Sequence, residues 1–420
     1  VIFAACILLL ICYLSPLKQA GPFKIPEMRK ISADIIFSAD TSPLSNGVIV
    51  CDEDGKILHL GSASDFDPAT IEKYEGTIIP GFVNAHCHLE LSFMKGAIPE
   101  KTGLISFVKH VIALRDRYSK EEEKAAMAAA ENEMIANGIV AVGDISNDER
   151  SFFQKSIGRL RYHTFIELFD LGSDMTGDAL KKGKELMDIA RQIPKSSSSL
   201  TPHAPYSCTP QLIRETDRLT LEGSKILSIH LQEQEDENRL FTEKKGAWIQ
   251  FLHDMGCSDH WIEAGAKSSL QYLLPLLSPS NKKLFVHNTF SSAEDIDIAM
   301  EKGGEVYWVF CPSANLYIED RLPDYPLFVR KGAKGCIGSD SLASNHRLCI
   351  WSEIKQIKAH YPEIPLEILL TWASINGAEA LGMDTALGSI RPGKKPGLVL
   401  LEGLCKFEDS ISDTQIKRLI

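Results

Sequence analysis

The sequence predicts an α/β protein, a (β/α)8 TIM barrel carrying a small composite β-sandwich domain formed from both chain ends. Three observations predict it. Between about residues 80 and 382, short apolar runs of strand length alternate with longer helical segments, the rhythm of parallel strands joined by helical crossovers. Eight such runs can be counted, the number that closes a barrel. Most of them end on a histidine or an acid, and the C-terminal strand ends are where a barrel of this kind carries its chemistry.

Residues 1–14 are almost wholly apolar, yet the first basic residue, Lys18, follows that run. A secretory signal carries its positive charge ahead of the apolar run, and a spanning helix needs about 20 apolar residues. The expectation is that residues 1–27 lie upstream of the native start at Met28, with a membrane anchor or export signal as the alternative. From 29 to 75, short apolar runs are separated by SNG and DEDGK, turns of hairpin type. Strand and turn return in GSIRPGKKPGLVLLEGL and the closing KRLI. Residues 28–79 and 383–420 therefore read as two parts of one small domain, with the barrel, 80–382, inserted between them.

The first barrel strand is expected over 77–85, where TIIP leads through Gly81 into Phe82, Val83 and Asn84. Helices follow over 103–118 and 120–137, the second closed by Gly138 as a C-cap. The other strands are expected at 139–144, 160–167, 200–203, 225–230, 283–287, 305–311 and 335–340. KSSSS (195–199) and SPSNKK (278–283) read as loops by composition. The stretch 243–281, with Trp248, Phe251 and Trp261, reads as a helical crossover whose aromatics pack on the barrel; a lid over the site is the functional alternative. Tyr307 and Trp308 are assigned to barrel core or wall.

Composition narrows the function. The chain of 420 residues is 44% hydrophobic and 24% charged, ordinary for a globular protein too long for one small core. A net charge of -11 without any long basic cluster excludes nucleic acid or an anionic membrane as the main partner. A small-molecule substrate is expected instead, and no membrane unless residues 1–27 are a genuine anchor. None of the 10 cysteines forms a Cys-x-x-Cys pair, so they read as reduced thiols of a cytoplasmic protein, and Cys87 and Cys311 beside the candidate site read as structural. The sequence does not determine the oligomeric state, and a homodimer is compatible with it.

His86 and His88 are two residues apart at the end of the first strand, so both side chains point the same way and can offer two imidazoles to one ion. Later strands end on Asp144, Glu167, His203, His230, His287 and Asp340, and Glu233 follows His230 by three residues. His86, His88, His230 and Asp340 can bind a divalent ion and leave a position for water, as a catalytic metal requires. Glu233 and His287 remain as acid/base candidates. Asp144 and Glu167 read equally well as polar caps at a solvated rim, and His163, His253, His260 and His346 fit no ligand pattern.

The motifs PGFVNAHCH, TPHAPYS, HLQE, VHNTF, CPSAN and GSDSLASN run from the first strand to the last. As a set they resemble the amidohydrolase superfamily, in its branch of metal-dependent deaminases and chlorohydrolase-like enzymes, over nearly everything after Met28. The resemblance implies His86, His88, His230 and Asp340 as metal ligands, Glu233 as proton shuttle, His287 as the residue that polarises the attacking water, and His203 as a substrate contact. It also implies one divalent metal ion, because two-metal relatives carry a modified lysine where strand four of this chain ends in His203. Zinc and iron both suit imidazole and carboxylate donors. AVGDISN, HAPYS, QEQEDENRLF and LFVHNTF look like the aminodeoxyfutalosine deaminase-like group. That likeness implies hydrolysis of the 6-amino group of an adenine-type base, in a substrate such as aminodeoxyfutalosine. Halide removal, cyclic amide cleavage, guanine- or adenosylhomocysteine-type deamination and a non-catalytic barrel scaffold are the alternatives. Related nucleoside deaminases hold the ribose with a carboxylate on the helix after strand one; here that segment offers Arg115, Asp116 and Arg117, and no ribose-binding acid can be assigned.

Overall fold

Parallel strands form the centre of the chain in a computed structural model that describes residues 28–172 and 175–420. The reading of residues 1–27 as a leader falls outside the described residues. The strands are β1 (Phe82–Cys87), β2 (Ile139–Ser146), β3 (Arg161–Leu168), β4 (Ser197–Pro202), β5 (Ile226–Leu231), β6 (Lys282–His287), β7 (Val306–Phe310) and β8 (Gly335–Ile337). They pair as two four-stranded sheets, in the orders β4-β3-β2-β1 and β5-β6-β7-β8. At one seam Cys87 bridges Asp340, and the amides of Ser339 and Asp340 both donate to the carbonyl of His86 at 3.1 Å. At the other, the His230 amide donates to the carbonyl of His203 at 2.9 Å and the Ser228 amide to Thr201 Oγ1 at 2.9 Å. All eight strands therefore deliver their C-terminal ends to one region. Several, such as VYWVF in β7, are apolar throughout and fully buried, as strands covered on both faces must be. Tyr307 and Trp308 lie in that buried wall, as expected.

Two strand expectations are corrected. Residues 77–85 are not one strand: Gly76–Pro80 pairs antiparallel with Leu398–Glu402, and only Phe82–Cys87 joins the parallel set. Gly81 makes the change of sheet possible, since a Cβ there would lie 2.4 Å from Val140 Cγ1 and 2.7 Å from the carbonyl oxygen of Pro396. The serine run at 195–199 is not simply a loop, because β4 starts at Ser197. Its serines have a partner inside the protein: Ser197 and Ser199 hydroxyls lie 2.8 and 2.9 Å from the two ring nitrogens of buried His163 on β3. Strand pairing has overridden local composition.

The helix Lys120–Ala136 begins with a capping box between Ser119 and Glu122 and ends ahead of Gly138, whose φ of +76° favours glycine. Outside the parallel strands, Arg29–Ser32, Gly47–Cys51, Ile57–Ser62 and Glu72–Lys73 form one sheet. Ile35–Ile36, Leu44–Ser45, Gly76–Pro80, Leu398–Glu402 and Gln415–Arg418 form another, so the two ends of the chain share a sheet. Ile31, Ile49, Ile57, Ile78, Ile390 and Leu400 make a common buried cluster. Among the described residues, no helix is long and apolar enough to cross a membrane.

Candidate active site

The strand period of two brings His86 and His88 to the same side of β1, with their Nε2 atoms 3.2 Å apart. From the far seam His230 reaches in, its Nε2 3.3 Å from that of His88. Asp340, beyond the end of β8, places Oδ1 3.6 Å from His88 Nε2 and 3.8 Å from His86 Nε2. His230 Nδ1 lies 3.1 Å from the His203 carbonyl, which fixes the proton on that nitrogen and leaves Nε2 as a lone pair. Burial holds all three imidazoles neutral, pushing His88 and His230 down to about 3 and His86 well below its usual range. Neutral imidazole lone pairs converging beside a carboxylate repel one another unless a cation lies among them. This donor set fits a divalent ion.

Next to it stands a second pair. Glu233 Oε1 is 3.6 Å from His287 Nε2, and both residues are buried. His287 Nδ1 is 2.9 Å from Asn315 Oδ1, which turns Nε2 toward the site. Burial, reinforced by the charge of Asp340, pushes the Glu233 carboxyl well up, and burial lowers His287. The Glu237 carboxylate accepts the Gln232 amide at 2.9 Å and the Glu233 amide at 3.2 Å, anchoring the turn that carries Glu233. Ser344 donates to Asp340 Oδ2 at 2.9 Å and so leaves Oδ1 facing the histidines. Gln232, His287 and Asp340 sit at φ of +51°, +77° and +56°, left-handed conformations that side chains rarely adopt and that cluster at functional sites.

A cavity of about 200 Å³ opens beside these groups. His88, His203, His230, Glu233, His287 and Asp340 line one end. Leu104, Phe107, Val108 and Val111, from the helix Leu104–Leu114, form an apolar wall with Trp248 and Phe251 from the helix Ala247–Asp254. Tyr206 stacks on Trp248 with ring centroids 3.9 Å apart. The crossover at 243–281 therefore does more than pack on the strands, as two of its aromatics line the cavity; Trp261 packs in the same cluster.

Of the strand-end acids, Asp144 does not reach the cavity. Its Oδ2 lies 2.6 Å from Lys155 Nζ, both side chains fully buried, and its Oδ1 accepts the Leu89 amide at 2.8 Å. Glu167 does line the cavity. His203 faces it as well, with Nδ1 2.6 Å from Ser207 Oγ. His163, His253, His260 and His346 do not. The supports Lys155, Glu237, Asn315 and Ser344 were given no role from the sequence, although Glu237, Asn315 and Ser344 lie inside the motifs QEQEDENRLF, CPSAN and GSDSLASN; Lys155 lies in none of them.

Fold and site define an α/β protein whose parallel strand ends converge on a histidine–carboxylate cluster beside a largely apolar cavity. The chain belongs to the amidohydrolase family, which it matches over residues 77–420. It is 25% identical over 376 residues to the 5'-deoxyadenosine deaminase of Methanosarcina acetivorans, covering 86% of this chain and 81% of the relative. It is 24% identical over 398 residues to a 5-methylthioadenosine/S-adenosylhomocysteine deaminase of Bacillus cereus, covering 90% and 85%. Among solved structures, Helicobacter pylori aminofutalosine deaminase in complex with methylthio-coformycin shares the fold at a TM-score of 0.81 and 21% identity, over 93% of this chain and 100% of that one. A Xanthomonas campestris adenosine deaminase with bound zinc shares it at 0.70 and 22%, over 89% and 84%.

Proposed function

We propose that this protein is a metal-dependent hydrolase that removes the 6-amino group of an adenine-type nucleoside, releasing ammonia and the 6-oxo base. In this reading the eight parallel strands close into a (β/α)8 barrel over residues 80–382, and segments 28–79 and 383–420 form the composite sandwich domain. The observation that carries the proposal is the meeting of the His86, His88 and His230 Nε2 atoms with Asp340 Oδ1, beside the Glu233–His287 pair and open to one cavity. The names of the relatives support the same reaction class. The apolar wall suits a substrate whose 5' substituent is uncharged or aromatic, such as 5'-deoxyadenosine, methylthioadenosine or aminodeoxyfutalosine.

His86, His88, His230 and Asp340 would hold one divalent ion, zinc or iron. When bound, such an ion supplies a Lewis acid able to lower the pKa of a water from about 15.7 to about 7. Glu233, buried and pushed toward the protonated form, donates a proton to a ring nitrogen and makes the adjacent carbon electrophilic. The water adds to that carbon. His287, with Nδ1 committed to Asn315, presents Nε2 to orient the water and to hold a proton as charge develops. Glu233 recovers one proton from the added water, the remaining hydroxyl proton passes by way of His287 to the amino group, and ammonia departs to leave the 6-oxo base. His203 contacts the substrate at the cavity wall.

The test is ammonia release from purified protein with 5'-deoxyadenosine, methylthioadenosine, aminodeoxyfutalosine, adenosine, S-adenosylhomocysteine, guanine and a chlorinated triazine, with metal content measured on the same sample. Turnover confined to adenine nucleosides at about one metal per chain is the expected result. Turnover of the triazine or guanine alone would replace deamination of adenine nucleosides with another hydrolysis at the same site.

A further inference from the structure

We infer that Gln232 is a positioning residue for the reaction, whose side-chain amide ties the turn carrying Glu233 to the loop after His287 and so sets the spacing of the two proton-handling groups. The inference rests on the reading of Glu233 as proton shuttle. Gln232 stands between His230 and Glu233 in HLQE, a motif whose other polar residues already have roles. It does not line the cavity, and it is fully buried at a φ of +51°. A side chain rarely adopts that conformation, so the surrounding structure has to hold it there. The side chain spends all its hydrogen-bonding groups on doing so: Nε2 donates to Asn238 Oδ1 and to Asp295 Oδ2, both at 3.1 Å, and Oε1 accepts the Ser291 hydroxyl at 2.5 Å.

These bonds join the two segments that bear the Glu233–His287 pair. β5 and β6 run in register with Leu231 opposite His287, and both chains then leave the sheet through left-handed residues, Gln232 on one side and His287 and Asn288 on the other. The backbones stay paired for a few residues more: the Asn288 amide donates to the Leu231 carbonyl and the Phe290 amide to the Gln232 carbonyl, each at 3.0 Å. The Gln232 side chain carries the tie further, to Ser291 and to Asp295 in the first turn of the helix Ala293–Lys302. Asp295 is itself fixed by the Ser268 hydroxyl at 2.5 Å and the Ser292 amide at 3.0 Å. At the His287 end, Asn315 holds Thr289 Oγ1 at 2.6 Å as well as the imidazole. The Glu233 carboxyl has His287 Nε2, 3.6 Å away, as its near neighbour, so its place depends on the turn that carries it. Misplacing a catalytic group by about 1 Å can cost about 100-fold in rate.

The experiment measures kcat, KM and bound metal with the adenine nucleoside that the wild type turns over fastest, in Gln232→Met, Glu233→Gln and the double variant. Methionine keeps the length of the side chain and removes the amide. Asp295 retains Ser268 and Ser292, and Asn238 retains the Ser269 amide at 2.9 Å, so no partner is stranded in the core. Gln232→Met should lower kcat by about 10- to 100-fold, with KM within a few-fold and metal content unchanged. It should add no loss to Glu233→Gln, because the group it places is already gone. The same loss in both backgrounds would overturn the proposal and make Gln232 a general support of the fold. Metal lost in step with kcat would overturn it in favour of a support for His230, and a kcat equal to that of the wild type would overturn it outright. Ser291→Ala, which removes one of the three ties, decides the matter if Gln232→Met does not fold. A smaller loss of kcat that vanishes in Glu233→Gln supports the proposal, and an unchanged kcat or a loss that persists there overturns it. Near-wild-type turnover by Glu233→Gln would overturn the shuttle reading itself, and is told apart because position 232 is untouched.

Discussion

Lys155→Met is the sharpest test of how the fold supports the site. Lys155 and Asp144 are both fully buried, 2.6 Å apart, and the ammonium also bonds Ser146 Oγ at 2.8 Å and Thr164 Oγ1 at 3.2 Å. Methionine retains much of the volume and removes the charge, leaving the Asp144 carboxylate with the Leu89 amide as its remaining strong donor. Stranding one partner of a buried ion pair costs about 3–5 kcal/mol. Burial already pushes the Asp144 carboxyl up, and Lys155 is the largest influence holding it down. In the variant Asp144 therefore titrates well above its unfolded value. A group with a raised folded pKa stabilises at low pH and loses that contribution as pH rises through the folded value, so the deficit should be large at pH 8 and small at pH 5. Because Leu89 follows His88, metal affinity should fall as well. Urea unfolding at the two pH values, with metal analysis, reads both effects. The double variant Asp144→Asn/Lys155→Met removes both charges, keeps an acceptor for Leu89 and should return to within about 2 kcal/mol of wild type. A single variant within about 1 kcal/mol of wild type at pH 8, or a double variant no better than the single, would refute the argument.

Glu233→Gln should retain its metal and lose turnover by about 10²- to 10⁴-fold, in single-turnover and steady-state assays alike; near-wild-type activity would remove it as proton shuttle. Asp340→Ala should lose both turnover and metal, measured by activity and metal content, since it withdraws the one carboxylate among the proposed ligands. Chelation should abolish ammonia release and readdition of zinc or iron restore it, and activity persisting at less than about 0.1 metal per chain would exclude a metal mechanism. Glu237 is pushed up to about 7 by burial from its usual 4.5. Its stabilising contribution is therefore complete below the unfolded value and lost as pH rises through about 7, on the order of 3 kcal/mol. Glu237→Gln lacks that loss, so urea midpoints should show it gaining on the wild type between pH 5 and 8.

The sequence by itself determined the repeating strand–helix order, the family and the positions of the polar strand ends. These are local properties: a period of two puts His86 and His88 on one side, and a glycine after an amphipathic helix ends it at Gly138. Boundaries between sheets were a tertiary matter. Gly81 divides one apolar run because Val140 and Pro396 crowd it from elsewhere in the chain, and Ser197 and Ser199 become strand residues because His163 offers them bonds. The same distinction separates Asp144 from Glu167, alike in sequence as acids on successive strands. A lysine eleven residues on captures the first, whereas the second lines the cavity, held by Asn147 on one oxygen with the other 3.4 Å from His230 Nδ1. Trp248 and Phe251 reach that cavity because their helix packs against the helix Leu104–Leu114 and Tyr206. Which polar groups are neutralised and which remain free for a ligand depends on partners distant in sequence, and only the tertiary structure brings those partners within bonding distance.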